Sequence, residues 1–353
     1  MMTVSGDPST TLRSSSSRLR SWCVTVVFGL LGLAVTTLLV MHAGIQGILG
    51  TLEMAGLSVL WLVPLHAFPI MLDSQGWKVL LDERHHKISS FFLFWVAGIR
   101  EAMNGLLPVL RVGGDLTGIR LATQGGTSKV LAVASVLVEV TLTMMSQILF
   151  TLLGICILVG IGHAHEPVGT IIIAMLVAVL VVSGFILAQH GRPFTFFRRL
   201  LKFAGANDRM LEWLDDPQRF DYAIRQLYQD TRKLMKAMCW QMAGLLAGVA
   251  ETWIALWLMN HRVGWGDALI LESLSQATRS ASFFVPSGIG VQEGSLVVFG
   301  GLLGIQSDVS LALSMVKRMR EILFGLPFLV SWQWFEHHRM HRRTHSSEPA
   351  PSS

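Results

Sequence analysis

Phe283-Phe-Val-Pro286-Ser-Gly288-Ile-Gly290-Val-Gln-Glu293-Gly294 sets a proline, three glycines and a carboxylate inside an apolar stretch. Proline removes a backbone donor and breaks a helix, and glycine admits backbone angles closed to other residues. The chain around this break is 52% hydrophobic and only 14% charged, with a mean hydropathy of +0.53. A soluble domain carries about 25% charged residues. Charge-poor windows run over 22–41, 55–72, 91–107, 130–161, 168–188 and 237–259, and two interrupted ones over 282–304 and 309–334. A span needs about 20 apolar residues, so most of these windows read as transmembrane helices. Non-helical backbone survives at membrane depth only when buried in protein or lining a wet cavity. The quoted break therefore marks a cavity or a tightly packed kink.

Positive charge orients the chain, because short loops rich in Lys and Arg stay cytoplasmic. The N-terminal stretch carries Arg13, Arg18 and Arg20, and the first window reads as an uncleaved signal anchor. The 42–50 link and the His163–Pro167 turn carry no Lys or Arg and are placed outside. The loops with Lys78, Arg84 and Lys87, the 192–236 segment and the tail after His337 are placed inside. Parity then requires 88–127 and 263–307 each to enter and leave by the same face. The expectation is an all-α polytopic membrane protein with about six full transmembrane helices and two re-entrant helical hairpins. Both termini are cytoplasmic. Residues 1–20 form an N-terminal segment, 21–162 a first membrane repeat, 163–334 a second with an interfacial insert over 191–236, and 335–353 a tail.

The two re-entrant stretches align without a gap at a spacing of 178 residues, which carries Pro108 onto Pro286. Asn104 then meets Ser282, Asp115 meets Glu293, Thr117 meets Ser295 and Gly126 meets Gly304. One copy enters from inside and the other from outside, so the repeat has inverted topology. Broken helices meeting near the midplane of inverted repeats are a recurring transporter architecture. A helix restarting near Gln292 offers free N–H groups and a positive dipole end, which favour an anion or the neighbouring Glu293 carboxylate. Arg111-Val-Gly113-Gly114-Asp115 makes the matching break in the first copy. A kinked, close-packed helix with glycine at its contacts is the competing account.

Charges inside a bilayer cost roughly 2.5–3.5 kcal/mol on insertion scales, so they pair or line a hydrated path. Glu139, Glu251 and the cluster Lys317, Arg318, Arg320 and Glu321 lie within spans, with Arg318 and Glu321 placed to pair at i, i+3. Arg100, Glu101, Arg111, Arg120, Glu272 and Arg279 belong to the re-entrant stretches. The candidate headgroup site therefore draws Asn104, Pro108, Arg111, Gly113, Gly114, Asp115 and Arg120 from the first copy. The second contributes Arg279, Pro286, Gly288, Gly290 and Glu293, and the spans add Glu139, Glu251, Arg318 and Glu321.

Other chemistry is not signalled. Cys23, Cys156 and Cys239 share no spacing, and the His337/His341/His345 row lies in a basic tail. Gly288-x-Gly290 does not follow a strand, so no nucleotide loop, cofactor or metal is expected. Nor is a nucleic acid. Phe220, Ile224, Leu227, Thr231 and Leu234 form one face of an amphipathic helix after Asp216–Pro217, which reads as an element lying in the membrane interface.

Asn104-x-x-x-Pro108 with Gly113-Gly114-Asp115, followed by Pro286-Ser-Gly-Ile-Gly-Val-Gln-Glu293, resembles the flippase-like transmembrane region of lysylphosphatidylglycerol synthases over nearly the whole chain. The run NGLLPVLRVGGD is also similar to the stand-alone membrane proteins associated with hopanoid biosynthesis. The resemblance implies a bacterial inner-membrane protein that moves lipids between leaflets. It also implies that the acid and glycines of each broken helix, with Arg318, line the headgroup path. Only 335–353 follows Trp334, so the aminoacyl transfer of that family's two-part members is not expected. In this reading Arg111, Arg120, Arg279 and Arg318 attract an anionic or hydroxylated headgroup, while Asp115, Glu293 and Glu321 hold them in place. Membrane lipids are the substrate, and lipid-biosynthesis enzymes are candidate partners. Two alternatives stay open: a membrane enzyme using Glu293 and Glu139 as acid and base, and a scaffold that holds lipid-synthesis enzymes through Arg192–Lys236.

Overall fold

A computed structural model describes residues 50, 53, 56–81, 88–107, 112–160, 217–282, 285 and 288–345. Among these the regular structure is helical, with no strand. A 3-10 turn over Gly56–Trp61 leads into α1 (Leu62–Leu81), followed by α2 (Ser90–Leu106), α3 (Val112–Gln124) and α4 (Lys129–Gly160). After the next described stretch begins come α5 (Pro217–Gln229), α6 (Thr231–Leu258), α7 (Trp265–Ala281), α8 (Val291–Leu302) and α9 (Ser307–His345). The expected spans over 22–41 and 168–188 lie outside the described residues, as do Pro108, Arg111 and Pro286.

Three of these elements are long and apolar enough to cross a bilayer: Gly56–Leu81, Lys129–Gly160 and Thr231–Leu258. At 1.5 Å per residue, the 13 residues of α3 and the 12 of α8 reach only about 20 Å, against a hydrocarbon core of about 30 Å. Neither crosses alone. The 39-residue α9 is long enough, and it carries Lys317, Arg318, Arg320 and Glu321 through its first half.

The 178-residue spacing recurs in the element bounds. Shifted by that amount, α4 starts where α9 starts, α3 within one residue of α8, and α2 within three of α7. The helix ends repeat in detail. Gly126 (φ 100°) and Gly304 (φ 74°) both adopt the left-handed region just past α3 and α8. The Thr127 N–H donates to the Ala122 carbonyl at 3.2 Å, and the Ile305 N–H to the Gly300 carbonyl at 2.8 Å. These are the six-to-one bonds of a glycine C-terminal cap, which needs a residue without Cβ at that step.

Packing exchanges in the same way. Helix α2 packs on α3 as α7 does on α8, and α3 on α4 as α8 does on α9. Across the molecule α2 lies on α9 while α7 lies on α4, and α1 runs along α6 between them. Glycines permit these crossings. A Cβ on Gly98 would strike the Phe328 ring, one on Gly154 the Ser273 hydroxyl, and one on Gly76 would come within 3.1 Å of the Ala237 carbonyl. Two principal apolar clusters result, one around Trp77, Leu93, Ile99 and Leu121, the other around Leu256, Leu271, Leu296 and Leu313.

Two expectations change. The 55–72 window extends as helix to Leu81, which takes Asp73 and Lys78 into α1. The apolar face of α5 does not look into lipid: Phe220 and Ile224 are fully buried, and they join the cluster formed with α4. Helical periodicity shows that a face is apolar and leaves open whether lipid or protein covers it.

Candidate functional site

The second break is built from glycine geometry and one carboxylate. Helix α7 ends at Ala281, and turns follow from Val285 N–H to the Ser282 carbonyl (2.9 Å) and from Gly288 N–H to the Val285 carbonyl (3.1 Å). Gly290 sits at φ 83° as the residue before α8. Its N–H donates to Glu293 Oε2 at 2.7 Å, so the first acid of α8 caps its own helix. Arg279 reaches forward from α7 past Gly288, where a Cβ would sit 3.2 Å from its Cγ. Its Nη1 donates to Gln292 Oε1 at 3.0 Å and to Glu321 Oε1 at 2.9 Å.

The first break uses different residues for the same purpose. Asn104, in the last turn of α2, accepts the Gly114 N–H at 3.1 Å and so caps α3 from outside. Gly114 and Gly118 bring α3 against α2: Cβ atoms there would lie 2.6 Å from the Arg100 carbonyl and 2.6 Å from the Arg100 Cδ. Arg100 gathers this end of the site. It donates to Asp115 Oδ1 at 2.8 Å and to Glu139 Oε1 at 3.1 Å, and its guanidinium lies 4.6 Å over the Trp77 ring.

Between the two breaks the acids of α6, α7 and α8 meet the bases of α9. Lys317 pairs with Glu272, which also accepts from Thr252 Oγ1 at 2.5 Å and Gln276 Nε2 at 3.0 Å. Arg320 pairs with Glu251, whose second oxygen lies 2.9 Å from His66 Nδ1. Arg318 reaches Glu321 at 3.2 Å and Glu293 at 3.4 Å. A row of ionised groups on one helix is tolerable inside a membrane because each base meets a carboxylate.

Most of these groups, though not Arg318 or Glu293, border a cavity of about 260 Å³, walled by α1, α2, α6, α7, α9 and the start of α8. Glu251, Glu272, Arg279, Lys317, Arg320 and Glu321 form its charged floor, and Asp73 and Glu101 face it from α1 and α2. Four buried polar atoms on its wall have no hydrogen-bond partner: His66 Nε2, Ser275 Oγ, Gln292 Nε2 and Arg320 Nε. Polar atoms this deeply buried are normally satisfied by protein or by water, so these four leave hydrogen-bonding capacity that water or a polar group in the cavity can take up.

The model of the family described as "Lysylphosphatidylglycerol synthase TM region" matches residues 26–328. The chain belongs to this family. That membership, with the apolar helices, makes it a membrane protein tied to lipid function. No curated protein and no solved structure matches it. The family match takes in every residue of the cavity, from His66 to Glu321, and stops within α9 before the basic tail.

Within this family region the predicted residues fall into three groups. Asn104, Glu251, Arg279, Gly288 and Glu321 line the cavity directly. Gly113, Gly114, Asp115, Glu139, Gly290, Glu293 and Arg318 stand behind them, in the caps and ion pairs just described. Arg120 goes elsewhere: its side chain is half exposed and pairs with Glu336 on α9, so it contributes nothing to the cavity. The arginines that remain are not free attractors, because Arg279 and Arg318 already hold carboxylates. The sequence reading missed His66, Asp73 and Gln292. Its available signal was spacing: His66, Pro69, Ile70 and Asp73 recur every three to four residues on one face of α1 and all line the cavity.

Proposed function

We propose that the chain moves a lipid with a polar or anionic headgroup, phospholipid or hopanoid in type, between the leaflets of a bacterial inner membrane. No chemical step occurs, and both termini face the cytoplasm. The observation that carries this reading is a charged cavity of about 260 Å³ set between two helix pairs whose second members are too short to span. Pockets for whole drug-sized ligands run to about 300–1,000 Å³, so this one admits a headgroup while the acyl chains stay in lipid. The repeated helix bounds and exchanged contacts support two copies related by a pseudo-two-fold axis, one hairpin dipping from each face. The Arg318 side chain, shared between Glu293 and Glu321 at 3.4 and 3.2 Å, is the group most readily handed from carboxylate to substrate.

Purified protein in liposomes tests this reading with a headgroup-labelled lipid and an impermeant quencher. Glu293→Gln and Arg318→Ala abolish translocation while the protein stays folded. Translocation equal to wild type in both variants removes these residues from the path, and no translocation by wild type across phospholipid and hopanoid probes overturns the function.

A further inference from the structure

We propose that Asp73 and Glu101 form a binding site for a monovalent cation, a proton or a sodium ion, and that its occupancy drives headgroup movement through the cavity. This inference rests on the transport reading and adds its energy source. The argument begins from charge. Lys317 is matched by Glu272, Arg320 by Glu251, Arg279 by Glu321 and Arg318 by Glu293. Arg100 serves both Asp115 and Glu139. Among the described residues neither Asp73 nor Glu101 makes an ion pair or a side-chain hydrogen bond: Arg100 and Glu139 bear on Asp73 and Arg279 on Glu101 only through space, and both arginines already hold other carboxylates. Two unpaired carboxylates at membrane depth are costly and mark ion or proton pathways.

A second observation, independent of the acids, points the same way. His66 shares the α1 face with Asp73 two turns on, and both line the cavity. Only 7% of His66 is exposed, and its Nε2 has no partner. The Glu251 carboxylate at its Nδ1 can only accept, which places a proton on Nδ1 and leaves Nε2 as the ring atom still to be satisfied. The α1 wall thus sets an unpartnered imidazole nitrogen on the same face as an unpaired carboxylate, while the unpartnered donors Gln292 Nε2 and Arg320 Nε stand on the α8 and α9 walls.

The backbone makes room for this. Gly244 on α6 lies against Asp73, and a Cβ there would collide with Asp73 Oδ1. Among the described residues no group of three His, Cys, Asp or Glu side chains is arranged to hold a metal, which disfavours a chelated divalent ion and leaves a proton or a hydrated sodium ion. Transporters of inverted-repeat design place coupling ions at the repeat interface. With both acids ionised, the cavity repels an anionic headgroup. A bound cation removes that repulsion, so cation and lipid enter together.

The test separates binding from transport. Melting of purified wild type, Asp73→Asn, Glu101→Gln and the double variant is followed in NaCl against choline chloride at constant ionic strength, and from pH 8.5 to 5.5. Wild type gains several degrees with sodium if sodium is the ligand, or with acid alone if the proton is, because a ligand bound only by the folded state stabilises it. The double variant loses that response. It melts no lower than wild type in choline at pH 8.5, because it has shed unpaired charge. Identical cation and pH responses in wild type and double variant overturn the proposal, as does stabilisation by an amine-bearing lipid alone. Liposomes with a sodium or pH gradient then separate the two readings. Cation-dependent melting without translocation leaves the site standing and ends the transport reading. Translocation indifferent to both gradients, with cation-indifferent melting, ends this inference and leaves transport standing.

Discussion

Arg320→Met is the sharpest probe of how the charged cavity floor is held. The Arg320 and Glu251 side chains are 9% and 4% exposed, so this is a buried pair. Removing the guanidinium leaves Glu251 with His66 at 2.9 Å and takes from Glu321 a neighbour at 3.8 Å. Breaking a buried pair from one side costs about 3–5 kcal/mol, because the abandoned charge stays desolvated, whereas replacing both partners is often neutral. Arg320→Met alone should therefore lose about 3–5 kcal/mol, and adding Glu251→Gln should recover most of it. Because Glu251→Gln alone also breaks the pair, the coupling energy should reach or exceed the upper end of the roughly 0.5–3 kcal/mol seen for contacting residues. Reversible unfolding in mixed detergent micelles, followed by the fluorescence of the 11 tryptophans, measures each corner of the cycle. A single variant within about 1 kcal/mol of wild type, or strictly additive effects, would refute the claim that the α9 bases are fixed by dedicated carboxylates.

Gly114→Ala should destabilise by about 1–3 kcal/mol through overpacking, since its Cβ would lie 2.6 Å from the Arg100 backbone carbonyl, which cannot rotate away; the same unfolding assay reads it, and a neutral result would mean that the α2–α3 contact is looser than described. Glu293→Gln keeps an oxygen for the Gly290 N–H, so its melting point should stay near that of wild type while translocation fails, which separates its charge from its cap.

The matching helix bounds were legible because glycine and proline punctuate them: the spacing that joins Pro108 to Pro286 also joins Gly126 to Gly304, and both glycines take up the same cap. Local chemistry was legible too, since Glu293 lies within one turn of Gly290 and Arg318 within one turn of Glu321. Long-range pairing was not. Nothing in the chain near Glu139 announces Arg100, 39 residues earlier, so bases that the structure shows to be neutralised read as free headgroup attractors. Asp73 escaped because it follows the last residue of an apolar window, where a charge suggests a loop, although the helix continues through it to Leu81. The α5 face escaped because an amphipathic helix buries the same residues against lipid or against α4.

The central claim is that the α2–α3 and α7–α8 pairs enter the bilayer from opposite faces and meet at one cavity. Ser128 and Gln306 are both exposed and occupy equivalent positions at the 178-residue spacing, just before α4 and α9. Single cysteines at these two sites, in a protein stripped of Cys23, Cys156 and Cys239, can be labelled with an impermeant thiol reagent in right-side-out and inverted membrane vesicles. The account predicts labelling from the cytoplasmic side at position 128 and from the opposite side at 306. Labelling of both from one compartment would contradict it.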